Sequence, residues 1–458
     1  MNQLLAKKEP TLMRKLAVLG VIALISWIAT LSVWFVISDR SMRQETATSE
    51  IGTQWGRAQI VGGPILSIPA ESTSLSTTGE KVVTRRTLYL LPRELHYVGD
   101  LKTQTRSRGI YETPVYTATV AASGIFNLTD IDASTLGGAT ILWDKAVVSV
   151  TISDTRGITS AIDMKWGDRE YSFSPSSHIP ELGDTGIHTP LAIDLTKNEI
   201  PFSFEVPLNG SESFSVIPFG QNTTATLTSD WKSPSFQGEF LPENREVTDA
   251  GFTASWKVSS FGNNIPHYWL SGDTSPLTNV LPEKSIDPMF PFSQEPHGTL
   301  FGVALHQNVD FYTMVNRATK YSILFVALTF LVFFMYEILA GLRIHPMQYL
   351  LVGLAIALFY LLLLSFSELF GFLTAYLIST TAITLLISGY CASVLKAKKR
   401  AFVIGALLLA LYTYLYILLQ LEELSLLFGS LLLFVVLAIV MYITRNLNWY
   451  NPETLNKE

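Results

Sequence analysis

The sequence holds a single cysteine, Cys391, among 458 residues. No intrachain disulfide can form, and no cysteine cluster can hold a metal. Charge is scarce: 15% of the residues are Asp, Glu, Lys or Arg, where a soluble globular chain carries roughly 25%. Residues 321–443 contain only Arg343, Lys396, Lys398, Lys399 and Arg400 as cations. A basic excess is missing as well. With a formal net charge of −6 and a pI near 5.7 the chain has no surplus to neutralise phosphates, which excludes nucleic acid as a partner. Nucleophile and cofactor signatures are also absent: there is no P-loop, no dinucleotide glycine fingerprint, no His-Glu-x-x-His and no Gly-x-Ser-x-Gly. The seven histidines are scattered. His178 and His188 are the closest pair, ten residues apart across a glycine-bearing turn, and two strands of a hairpin would bring them together. No third ligand has the spacing of a metal site. No catalytic residue, cofactor or metal is therefore expected.

What the chain has in quantity is apolar length. Hydrophobic residues make up 48%, and the mean hydropathy is +0.31. Leu16–Ile37 is uncharged over 22 residues, and a helix needs roughly 20 to cross the hydrocarbon core. Lys7, Lys8, Arg14 and Lys15 precede it, but the run is too long for a signal-peptide core and Ser38-Asp39-Arg40 is no cleavage site, so it is expected to stay as an anchor. Five further spans are predicted, approximately Tyr321–Ala340, Met347–Leu364, Phe372–Leu395, Ala401–Leu421 and Leu424–Ile443. Their short joints force antiparallel neighbours.

Cations set the orientation, because Lys and Arg are retained in the cytoplasm. With the amino terminus inside, the cytoplasmic short segments hold Lys7, Lys8, Arg14, Lys15, Arg343, Lys396, Lys398, Lys399, Arg400, Arg445 and Lys457, while the two short outer loops hold only Glu368, Glu422 and Glu423. The predicted division is a cytoplasmic start (1–15), one transmembrane helix (16–37), an extracytoplasmic domain (38–320), five transmembrane helices (321–443) and a cytoplasmic tail (444–458). Trp34, Tyr321, Trp449 and Tyr450 stand near span ends, where amphipathic rings favour the interface.

Between the spans the period changes. Residues 41–58 continue the first helix in polar form; from about Ile60 the alternation becomes twofold. Phe202, Phe204 and Val206 oppose Ser203 and Glu205, while Phe252, Ala254, Trp256 and Val258 oppose Thr253, Ser255 and Lys257. Tyr116–Ala122 and Ala225–Trp231 alternate likewise. This is the pattern of half-buried antiparallel strands. Gly62-Gly63-Pro64, Asp154–Gly157, Gly183–Gly186 and Asn209-Gly210 read as turns, the last as a hairpin. The fold class is a six-helix membrane bundle (1+5) with a large antiparallel β-sandwich-like domain. Ser271–Gly298, with five prolines, reads as a long loop.

Ionisable residues inside spans point first to transport. Glu337 is the clear case, and snorkelling to the interface or pairing with Arg343 or His345 is the simple expectation. Pro346 suits the first turn of a helix. The candidates for coupling the β domain to the bundle are Arg317, Lys320, Tyr321, Glu337, Arg343, His345, Pro346 and Glu368.

These segments carry a family likeness. Arg317-Ala-Thr-Lys-Tyr321, the run Arg343-Ile-His-Pro-Met-Gln-Tyr-Leu-Leu-Val-Gly353, Phe359–Leu364 with Ser367-Glu368, Val61-Gly-Gly-Pro64, Asp154-Thr-Arg-Gly157, Asp230-Trp-Lys-Ser-Pro-Ser-Phe236 with Phe240-Leu-Pro242 and Arg245-Glu-Val247, and Thr444–Tyr450 resemble the CreD inner-membrane proteins. The resemblance spans nearly the whole chain and is weakest over residues 71–190. It implies a Gram-negative inner-membrane protein tied to cell envelope integrity and to a two-component envelope response, with colicin tolerance and β-lactam responses among its associations, and no established enzymatic activity. The expected function is non-enzymatic, exerted through the exported domain on an envelope component or protein partner, with the lipid bilayer as the other partner. Two alternatives stand beside it: a transporter or channel accessory, which needs a polar path through the bundle, and a membrane-tethered hydrolase, which needs a cleft of carboxylates or a Ser/His pair.

Overall fold

A computed structural model describes residues 12–75, 81–132, 136, 138–183, 185–272, 276–277, 280, 299–305, 311–339, 344–394, 398–421 and 424–445. It divides into a helical unit, residues 1–44 with 309–458, and a β-rich unit, residues 45–308. Most of the expected loop Ser271–Gly298 lies outside the described residues, as do Trp449 and Tyr450.

The chain begins with α1 (Leu12–Trp55), 44 residues long, whose apolar part belongs to the helical unit and whose last turns, from Glu45, belong to the β-rich one. The polar continuation expected for residues 41–58 is therefore helix as far as Trp55. Four strands follow: β1 (Gln59–Leu75), β2 (Lys81–Leu90), β3 (Glu94–Arg108) and β4 (Tyr111–Asn127). Next come β5 (Thr140–Ile141), β6 (Ala146–Ile152), β7 (Asp163–Trp166), β8 (Arg169–Ser172), β9 (Ser174–Pro175) and β10 (Gly186–Leu191). Then follow β11 (Glu199–Ser211), β12 (Ser213–Ile217), β13 (Asn222–Ser229), β14 (Pro234–Gly238), β15 (Asn244–Thr248) and β16 (Gly251–Ser259). A short helix, α2 (Ser260–Asn263), precedes β17 (Tyr268–Leu270) and β18 (Phe301–Leu305).

Two sheets result. One runs β14-β18-β12-β1-β6-β10-β9, with β2 and β5 also on β1 and β17 on β2; the other runs β15-β16-β13-β3-β4-β11-β7-β8. Their inner faces share one apolar cluster, from Val61, Leu66 and Val148 of the first to Leu95, Val206 and Trp256 of the second. The Trp256 ring lies 5.3 Å from Phe301, and the Tyr97 hydroxyl crosses to donate to the Gly63 carbonyl at 2.6 Å. The β-rich unit is thus one sandwich-like body rather than two lobes. Burial alternates along β11, β13 and β16 as the sequence predicts, with Phe202, Phe204, Val206, Ala225, Leu227, Phe252, Ala254 and Trp256 inside.

Three local expectations are corrected. The sheets are not purely antiparallel: β1 runs parallel to β12, and β3 parallel to β13. Gly62-Gly63-Pro64 is no turn but lies inside β1, at a shift of register against β6 between Gly62 and Ile65. Asn209-Gly210 is no hairpin; both residues pair with β4 inside β11, and the chain turns at Glu212 (φ 63°) to enter β12 in the other sheet. A bulge lets one strand bend and change partners, which β1 does: its start pairs with β12 and its end with β2.

The helical unit continues with α3 (Phe311–Lys320), α4 (Ser322–Leu339), α5 (Pro346–Phe370), α6 (Phe372–Val394), α7 (Lys398–Gln420) and α8 (Ser425–Thr444). Five helices, α1 and α5 to α8, are long and apolar enough to cross a bilayer; α3 and α4, bent by 47° at their joint, make up to a sixth. Helix α5 reaches Phe370, beyond the predicted end at Leu364, so Glu368 sits on a helix rather than in a loop and Gly371 (φ 76°) alone makes the turn into α6. Helix α3 was not anticipated as a separate element.

Candidate functional site

Helix α1 touches the bundle at several points between Lys15 and Arg40. Ser26 is fully buried, and Gly353 of α5 lies so near its hydroxyl that a Cβ there has no room. Farther along, the Thr30 and Ser322 hydroxyls are bonded at 3.0 Å, and the Trp34 indole N–H donates to Asn316 Oδ1 at 2.9 Å.

The candidate residues fall into two groups at opposite ends of α5. His345 and Glu368 are separated by 23 residues of chain, about 34 Å at the α-helical rise. At the Pro346 end, Glu337 is 4% exposed and is paired with Lys15 of α1. It also accepts from the Ile344 N–H at 2.8 Å and from the Tyr349 hydroxyl at 2.9 Å. The partner is therefore Lys15 and not His345, which instead caps α5: its Nδ1 accepts from the Met347 N–H, its own N–H donates to Gln348 Oε1, and Pro346 takes the first turn. A buried carboxylate demands a cation and hydrogen-bond donors, and here three segments supply them. Arg343 lies outside the described residues.

At the other end, Glu368 accepts from the Tyr312 hydroxyl at 2.9 Å, and its other oxygen is 3.8 Å from Arg40. Arg317 and Lys320 occupy the last turn of α3, where cations complement the helix dipole, and the Tyr321 N–H closes that turn on the Ala318 carbonyl. Beside them is a cavity of about 360 Å³ lined by Phe311, Met314, Phe370, Phe372, Tyr416 and Gln420 among others. The structure thus joins Arg317, Lys320, Tyr321 and Glu368 to one end of the bundle, and Glu337, His345 and Pro346 to the other.

In the β-rich unit, Asp154 closes the end of α1. It takes two bonds from the Arg156 guanidinium, both 2.9 Å, and accepts from the N–H groups of Arg156 and Arg57 at 3.2 Å. Burial alone would raise its pKa; these donors outweigh burial and hold it below the ordinary carboxylate value. Gln59 bridges the Asp154 and Asn209 carbonyls at 3.1 and 2.9 Å, and Trp55 donates to the Tyr116 carbonyl under the Arg106 guanidinium. The Asp154–Gly157 motif is structural here: it seats the helix on both sheets.

His178 and His188 do meet, with ring centroids 4.0 Å apart. Among the described residues no group of three or more His, Cys, Asp or Glu is placed to hold a metal ion. Asp163, Lys165, Glu170 and Glu205 line an open groove of about 410 Å³ on β7, β8 and β11. The Lys15–Glu337 pair and the Asp130–His267 pair, 3.1 Å apart, escaped sequence reading because their members lie far apart in the chain.

The family model for the inner membrane protein CreD matches residues 11–450. The chain belongs to the CreD family. Inner membrane protein CreD of Escherichia coli (strain K12) is 32% identical over 447 residues, covering 97% of this chain and 94% of the relative. CreD membership and the apolar helices together make it a multi-pass inner-membrane protein.

Proposed function

We propose that this CreD-family chain is a non-enzymatic envelope-integrity protein that acts through its β-rich domain on the periplasmic side, both termini lying in the cytoplasm. The distribution of cations in the short loops supports that orientation. One observation carries the functional reading. Residues Lys81–Arg86 of β2 are exposed on both faces while still paired to β1. Val82 and Val83, which alternate to opposite faces, are 46% and 53% exposed, and Leu75 beside them 73%. Such a hairpin arm contributes little to the core. Among the described residues its outer edge is unpaired from Lys81 to Arg86, and that edge with the exposed Leu75, Val82 and Val83 suits strand addition or contact with an envelope partner.

The test is complementation of a deletion strain with Val82→Asp/Val83→Asp at matched abundance, read as outer-membrane permeability to a bulky antibiotic. Loss of complementation is expected; full complementation rejects the arm as the working surface. Photo-crosslinking from Val83 in cells then identifies the partner. The coupling role of Arg317, Lys320 and Tyr321 belongs to this proposal, and a triple alanine variant that keeps both abundance and phenotype removes it. A second reading, a transporter or channel accessory, rests on the buried hydroxyls of the bundle.

A further inference from the structure

Inside the bundle lies a set of polar groups that no ion pair uses. On α6 every fourth residue from Tyr376 carries a hydroxyl, namely Thr380, Thr384 and Ser388 after it, so they form one slowly drifting stripe. The hydroxyls of Thr384, Ser388, Ser379 and Tyr360 of α5 are buried and have no hydrogen-bond partner among the described residues. Tyr360 and Ser379 are fully enclosed, at 0% exposure. In a bundle surrounded by lipid no outside solvent can satisfy them, and a buried hydroxyl left without a partner is costly.

The stripe starts beside the cavity at the Gly371 end. Tyr376 donates to the Tyr412 carbonyl of α7 at 2.6 Å, and its ring lies 5.3 Å from Tyr416 and 5.8 Å from Phe372. Both of those line the 360 Å³ cavity, together with Thr374 and Gln420. Phe359 packs against Tyr360, Tyr376 and Tyr412 and fixes them as a group. At the deep end the helices close: a Cβ on Gly405 of α7 would stand 2.5 Å from Ser388 Oγ. From Thr374 to Ser388 is 14 residues, about 21 Å along the axis, or roughly two-thirds of a 30 Å hydrocarbon core.

We propose that this stripe is the wall of a blind, water-binding seam between α5, α6 and α7, open at the Gly371 cavity and stopped at the Ser388–Gly405 contact. Its ligand is water, since a lining of hydroxyls and one amide, without charge, offers the two to four hydrogen bonds that a buried water requires. The side of entry rests on the orientation proposed above; the seam itself does not.

Cysteine accessibility tests it on the full chain in membrane vesicles. Thr380→Cys, Thr384→Cys and Ser388→Cys are made in a Cys391→Ser background, with Leu385→Cys and Leu386→Cys as lipid-facing controls, 68% and 55% exposed on the bundle surface. A small charged thiosulfonate reacts only with the thiolate, which forms where water reaches. The expected result is modification of Thr380→Cys and Thr384→Cys at least tenfold faster than the controls, in right-side-out vesicles, with a lower rate at Ser388→Cys. The same contrast in inverted vesicles only upholds the seam and reverses the orientation. Rates equal to the controls from both sides overturn the seam and leave tight packing of small residues as the account. Hydroxyl-radical footprinting of the unaltered chain is independent of variant folding: oxidation of enclosed Tyr360 is expected, and a Tyr360 as inert as the lipid-enclosed rings overturns the proposal.

Discussion

Removing the Glu337 carboxylate would leave the Lys15 ammonium, the Ile344 N–H and the Tyr349 hydroxyl without their shared acceptor. Breaking a fully buried pair from one side costs about 3–5 kcal/mol, an upper bound here because Lys15 is 28% exposed. Glu337→Ala is therefore expected to lose up to that much in detergent unfolding, and Glu337→Gln, which keeps an acceptor, clearly less; a loss under about 0.5 kcal/mol would show that the cluster does not hold α1. Acid sensitivity has its own residue. Burial first, and Arg93 beside it, lower the His267 pKa below the ordinary 6.5, against the pull of Asp130. The unfolded chain then takes up the proton before the folded one. This contribution is complete above pH 6.5 and is lost as pH falls from there toward the lowered folded value. Unfolding followed against pH should show that slope, and His267→Gln should flatten it. Glu337 was visible in the sequence as the one clear ionisable residue inside a span, but Lys15, 322 residues away, was not. Spacing reports neighbours along an element and says nothing about which elements meet.

At the level of elements, the packing of α1 on α5 turns on the absence of a side chain at Gly353, opposite the Ser26 hydroxyl. Overfilling a packed contact costs about 1–3 kcal/mol. Gly353→Val should thus lower the thermal midpoint of the detergent-solubilised chain by that equivalent, while the same change at Gly20 or Gly389, where nothing lies within 4 Å, should leave it nearly unaltered. Element type was largely legible here. Twofold alternation marked β11, β13 and β16 because each has one buried face, and unbroken apolar runs marked the spans. Boundaries and partners were less so. Asn209-Gly210 has turn chemistry, yet the register with β4 carries both residues on as strand. The end of α5 was placed too early because Ser365–Phe370 is more polar than the run before it, although Ser367 is buried and simply bonds back to the Leu363 carbonyl.

For the molecule as a whole, the partition into an apolar bundle and a β-rich domain followed from where charge is missing, and the structure keeps it. A leader that is cut away does not share buried contacts with later helices as α1 does with α4 and α5, so exchanging residues 1–37 for a cleavable signal should still export the β domain but leave the remaining helices prone to degradation, as measured by steady-state abundance. Equal abundance of that chimera would argue that α1 is only a tether. Which strands lie side by side within each sheet was not readable, since parallel pairing of β1 with β12 and of β3 with β13 depends on contacts more than a hundred residues apart. One helix stands apart from these constraints. None of the residues of α8 is buried, and at 20 residues it is about 30 Å long, close to the hydrocarbon thickness. Acyl chains rather than neighbouring side chains thus set most of its free energy. In a thinner bilayer α8, joined to α7 by the Tyr414 hydroxyl on the Phe428 carbonyl but burying least of the membrane-long helices, has the least packing to hold it against tilting.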